Sequence, residues 1–155
     1  MAEVHFETLE EEATHATDEA RMVLPGVQAI LGFQLVAVFN QRFETLPQPQ
    51  QLLHLGAFLL VAMAMGLLMT PAAYHRHAER GQVSRRFVSL ASRLLSLAML
   101  PLLIGLAIDT YVITDLVTNN LMLSAGIGGS VLIVLALLWF FLPFAARAEH
   151  PADPM

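Results

Sequence analysis

The stretch FVSLASRLLSLAMLPLLIGLAI, from Phe87 to Ile108, decides the fold. Arg93 is its only charged residue, and at 1.5 Å per helical residue the run reaches across a hydrocarbon core of about 30 Å. Three more runs of the same kind flank it, Met22 to Phe39, Leu52 to Tyr74 and Leu121 to Phe144. Lipid offers backbone N–H and C=O groups no partner outside their own segment, so each run reads as a helix. The expected fold is all-α, a bundle of four transmembrane helices with an acidic N-terminal segment. The composition agrees, since 56% of residues are hydrophobic and only 14% are charged, against about 25% charged in soluble domains. The expected organisation is an acidic tail over 1–20, a membrane domain over 21–147 with spans near 22–39, 52–74, 87–108 and 121–144, and a short tail over 148–155.

Charge sets the expected orientation. The segment between the second and third runs carries Arg76, Arg80, Arg85 and Arg86; Arg21, Arg93 and Arg147 fall on the same side of a four-span chain, against Arg42 alone on the other. The positive-inside rule then places both termini of the multi-pass chain in the cytoplasm. The opposite side is expected to hold two loops, NQRFETLPQPQQ as an extended turn and DTYVITDLVTNN, whose Asp109 and Asp115, with His54 at the nearby helix end, would form an acidic outer mouth. The first 20 residues hold seven acids and no lysine or arginine, unlike a cleaved signal peptide. Phe6, Leu9, Ala13, Ala16 and Ala20 give that tail a weak amphipathic period. It is either a solvated segment or a helix folded back on the arginine loop.

Few residues offer chemistry. The chain has no cysteine, which removes disulfides, thiol catalysis and iron–sulfur clusters. It shows no HExxH, no Ser/His/Asp set and no paired carboxylates at a usable depth, so an enzyme is not expected, nor a cofactor, a metal or a nucleic-acid partner. Histidines do not face one another at one depth from different spans, as a membrane haem would need. The polar candidates are Gln28, Gln34, Ser89, Arg93, Ser96 and Tyr74. Ser89, Arg93 and Ser96 climb one face of the third helix, and Gln28 matches Arg93 in depth. Arg93 then either snorkels toward headgroups or is held by Gln28, with Tyr74 within reach. Gln34, near the middle of the first span, must point at another helix or at water. In the fourth span SAGIGGS stacks Ser124, Ala125, Gly126, Gly128, Gly129 and Ser130 into three overlapping small-xxx-small pairs, a surface for close helix packing.

The segments ARMVLPGVQAILGFQLVAVFNQRF, TPAAYHR and LASRLLSLAMLPLLIGLAI, through LPGVQ, QRF and AYHR, resemble a family of small bacterial four-helix integral membrane proteins defined as a domain of unknown function. The likeness runs from about Arg21 to Leu142. It implies a four-span bacterial inner-membrane protein and supplies no catalytic residue. Two functions fit the residues: a homo-oligomeric channel or channel-like transporter for ions or small solutes, or a non-transporting accessory subunit of a larger membrane complex. The apparent lack of any Asp or Glu within the spans argues against proton-coupled antiport, which needs an intramembrane carboxylate.

Overall fold

The computed structural model describes residues 8–78 and 83–149; Phe6, Arg80 and the C-terminal tail from His150 lie outside them. The elements are α1 (Leu9–Val38), the single turn α2 (Gln41–Glu44), α3 (Gln48–Ala78), α4 (Arg85–Thr118), α5 (Leu121–Ala136), a π-helical turn (Leu137–Phe141) and α6 (Leu142–Glu149). Four helices, the last running from Leu121 to Ala146, are long and apolar enough to cross a membrane. The all-α four-helix reading holds.

The helix ends follow from local chemistry. Thr8 and Glu11 form a reciprocal capping box at the start of α1, so the acidic tail from Leu9 onward is continuous with the first apolar run. Glu10 and Asp18 share a cleft of about 980 Å³ with His75, Arg76 and His77 at the end of α3. The segment expected as an extended turn is largely helical: the Asn40 side chain caps α2, accepting from Arg42 N at 3.0 Å. Gln51 Nε2 donates to the Leu46 carbonyl at 2.9 Å and ties the turn to α3. The second expected loop is also mostly helix. The chain does not leave α4 at Ile108 but runs on to Thr118, because Thr110, Thr114 and Thr118 each donate to the carbonyl four residues back, at 2.7 to 2.8 Å, and hide their hydroxyls in the helix. Only Asn119 and Asn120 connect α4 to α5. Asn119 takes the left-handed conformation at φ 49°, which asparagine tolerates, and Asn120 caps α5 by accepting from Leu123 N at 3.1 Å. The wide turn at Leu137–Phe141 directly precedes Pro143, which has no N–H to give an α-helical carbonyl.

Packing is organised by heptads. Buried positions on α3 are His54, Ala57, Val61, Ala64, Leu68 and Pro71, alternating in steps of three and four. On α4 the matching seam is Ala91, Ala98, Leu102, Gly105, Asp109 and Val112, and on α1 it is Ala13, Val27 and Gln34, in multiples of seven. Val27, Val61, Ala64, Leu68, Ala98 and Leu102 form the central cluster. Among apolar lipids helices gain little by hiding apolar surface from one another, so association rests on close contact at small residues. Gly105 is a point of close approach between α3 and α4: a Cβ there would lie 3.0 Å from Val61 Cγ2 and 3.2 Å from the Ala57 carbonyl oxygen. At the far end of the α3–α4 hairpin, Phe87 is clasped by Tyr74, stacked at 6.3 Å, and His75, tilted at 5.2 Å. Helix α5 lies against α4 through Ser124 and Gly128, where a Cβ would meet the Ala107 carbonyl at 3.1 Å.

Gly105→Leu should therefore prise α3 from α4 and cost about 1–3 kcal/mol or more, whereas Gly66→Leu, with nothing within 4 Å of its Cβ position, should be tolerated. Thermal unfolding of the detergent-solubilised protein separates the two; equal melting temperatures would show that the α3–α4 contact is not closed at Gly105.

Candidate functional site

The three seams that are apolar along most of their length each reach a polar residue at the α2 end. Gln34, His54 and Asp109 are only 4%, 7% and 8% exposed. Gln34 lies four residues before the end of α1, His54 six after the start of α3 and Asp109 nine before the end of α4, about 6, 9 and 14 Å along their helices. They meet. Gln34 Nε2 donates to Asp109 Oδ2 at 2.5 Å, His54 Nδ1 faces Asp109 Oδ1 at 3.1 Å, and His54 Nε2 lies 3.0 Å from the Gln34 carbonyl oxygen. Phe43 of α2 packs edge-on against the His54 ring at 5.2 Å.

If both His54 contacts are hydrogen bonds, together they set a proton count. A carbonyl oxygen only accepts, so His54 Nε2 carries hydrogen. In a neutral imidazole Nδ1 then presents a lone pair, and an ionised Asp109 presents lone pairs back. The 3.1 Å contact is a hydrogen bond only if the pair holds one further proton, either as imidazolium donating to carboxylate or as carboxylic acid donating to imidazole. Both arrangements have zero net charge, the state that suits a pair removed from water.

A second cluster lies further along α4. Asp115 Oδ1 faces Ser124 Oγ at 3.2 Å, and Asp115 Oδ2 accepts from Gln50 Nε2. The Ser124 hydroxyl also lies 2.8 Å from the Asn120 carbonyl. The Gln34 and Gln50 carbonyl oxygens, both Oε1, are buried with no hydrogen-bond partner among the described residues. Beside the first cluster a half-open cavity of about 380 Å³ lies between α1 and α4 beneath α2. Phe33, Phe43, Leu106 and Ile113 are among its apolar walls, Gln34, His54 and Asp109 its buried polar groups, and Asn40 and Arg42 its exposed ones.

This arrangement corrects several expectations. Asp109 and Asp115 are not loop residues: both sit inside α4, and Asp109 is buried between helices. Gln34 meets another helix, at Asp109. The Gln28–Arg93 hydrogen bond does not form, since both residues are exposed and Arg93 has no hydrogen-bond or ion-pair partner among the described residues. Ser89, Arg93 and Ser96 occupy the face of α4 opposite the Ala91–Ala98–Leu102 seam, so the stripe points away from the bundle, and Ser96 Oγ donates to the Ser92 carbonyl at 2.9 Å. Tyr74 stacks on Phe87 and does not meet Arg93. The small residues of α5 divide: Ser124 and Gly128 face α4, while Ala125, Gly126 and Ser130 are exposed and a Cβ on Gly126 or Gly129 would meet nothing. One signal for the cluster was present in the sequence, since Asp109 extends the spacing Ala98, Leu102, Gly105 and so occupies a seam position.

A family model described as "Family of unknown function (DUF6328)" matches residues 3–143. The chain belongs to the DUF6328 family. No curated protein and no solved structure shows a significant match. For this DUF6328 chain the chemistry must therefore be read from the cluster itself.

Asp109→Asn should test the proton count. An asparagine amide can donate to His54 Nδ1 while its oxygen accepts from Gln34, so the folded contacts persist with no titrating proton. Wild-type melting temperature should fall on the alkaline side as the bridging proton is lost, and the asparagine variant should lose that pH dependence. His54→Leu, which strips Asp109 of one partner, should cost about 1–3 kcal/mol. An unchanged pH profile in Asp109→Asn would refute the shared proton.

Proposed function

We propose that this protein is a proton-linked membrane transporter, working as a homo-oligomer in a bacterial inner membrane with both termini in the cytoplasm. The observation that carries the reading is the His54–Asp109 pair, two buried titratable side chains 3.1 Å apart beside a cavity. A buried ionisable pair within a span is expensive and is expected where ions or protons move. Transport suits it better than a static pore, because Gly105 sits one helical turn from Asp109 and brings the α3 and α4 backbones close together there, which leaves no room for water between those two helices at that level. Passage then needs helix movement or a route between subunits. The exposed small residues Ala125, Gly126 and Ser130 on α5, with half-buried Gly129 open at its Cβ position, support self-association, and the same open face favours the second reading, an accessory subunit docked on a larger complex. No catalytic role is assigned.

Pure protein in liposomes loaded with a pH-sensitive dye should let an imposed proton gradient decay faster than empty liposomes do. Asp109→Asn should abolish that decay and Arg93→Leu should leave it. Decay that persists in Asp109→Asn, or none in wild type, would remove the transporter reading in favour of the accessory one. Separately, Gly129→Leu should shift the native mass in mild detergent toward monomer, and an unaltered oligomer would place the interface elsewhere.

A further inference from the structure

We infer that the cavity between α1 and α4 binds a single organic ammonium ion with an apolar body, which takes the place of the proton shared by His54 and Asp109. The inference rests on the proton-linked reading above and names its solute class. Two residues that the folded chain leaves incompletely used, Gln34 and Asp109, line the cavity. Gln34 Oε1 is buried without a partner among the described residues, and a carbonyl oxygen there needs a hydrogen-bond donor. Asp109 gives one oxygen to Gln34 Nε2 and the other to His54, and as a carboxylate it can accept more bonds than these. A ligand N–H satisfies the first group and a ligand positive charge the second, and a protonated amine carries both.

The walls supply the rest. Phe33, Leu106 and Ile113 are apolar, and about 380 Å³ falls in the range of cavities that enclose a small organic molecule. The charge balance closes: when R–NH₃⁺ enters and bonds to Asp109 and Gln34, the bridging proton leaves His54–Asp109 and the site stays neutral. The surrounding titratable groups are consistent with one charge only. Helix α1 contributes the neutral amide of Gln34, α3 contributes His54, and α4 contributes Asp109. Asp115, further along α4, is engaged by Gln50 and Ser124 and does not line the cavity. Arg42 of α2 is exposed and lines the cavity, so it opposes a second positive charge and disfavours dications.

The test is calorimetric titration of the full-length protein in detergent with phenethylamine, phenethyltrimethylammonium and phenethyl alcohol, repeated in buffers of different ionisation enthalpy. The amine should bind with release of one proton, and the uncharged alcohol should bind at least about tenfold more weakly. Asp109→Asn should weaken the amine by a similar factor. Gln34→Leu should weaken the amine more than the trimethyl compound, which has no N–H to give. Alcohol binding as tight as amine binding, or an amine affinity untouched by Asp109→Asn, would overturn the proposal and leave an apolar groove that lipid fills. Absence of amine binding, with the wild-type pH dependence of melting still abolished by Asp109→Asn, would overturn the solute class alone; loss of that pH difference would overturn the proton-linked reading beneath it.

Discussion

A carboxylate inside a lipid-facing helical protein must find its partners on other helices, and this structure depends on Asp109 doing so. Helix α4 carries it on the seam, where it is 8% exposed, and α1 and α3 present Gln34 and His54 at the same level. Were Asp109 apolar, Gln34 Nε2 and His54 Nδ1 would both lose their partner, and were Gln34 or His54 apolar, Asp109 would lose one, at about 1–3 kcal/mol per neutral group and more for a charge. The cluster therefore fixes register as well as chemistry. A shift of α4 by one residue would rotate Asp109 off the seam by about 100° and bring Ile108 or Thr110 to face His54.

Most of the architecture was legible because membrane helices announce themselves by length and apolar content. Phe87 to Ile108 reads as a span on those grounds alone, and the helices of the structure cover all four apolar runs. The site was less legible, and the reason lies in how α4 ends. Asp109 follows an apolar run directly, so hydropathy places it outside the membrane. Heptad position places it on the packed face, since Leu102, Gly105, Asp109 and Val112 are consecutive seam residues. Hydropathy counts residues without regard to the face they occupy, and Asp109 needed the face. Arg93 shows the converse. Its depth drew attention to it, yet it lies opposite Ala91 and Ala98, where only lipid or headgroups are available.

The division of small residues on α5 follows the same logic of faces. Ser124 and Gly128 are one turn apart and both serve the approach to α4, Gly128 through backbone contact with Ala107 and Ser124 through Asp115. Gly126 and Gly129 share the motif but not the face. A sequence pattern of overlapping small-xxx-small pairs thus marks two surfaces, one used within the chain and one open.

Gly105 and Asp109 are four residues apart and lie on one face of α4, about 6 Å apart along its axis. Just below the proton site, then, the α3 and α4 backbones approach so closely that no Cβ fits without a shift. A contact this tight does not deform gradually; it is either closed or opened by a displaced helix. Removing the bridging proton sets the His54 lone pair against the Asp109 carboxylate, and the repulsion acts between the same two helices that Gly105 holds together. A proton shared by His54 and Asp109 and helix closure at Gly105 therefore favour each other across a single turn, and loss of that proton works against the α3–α4 contact.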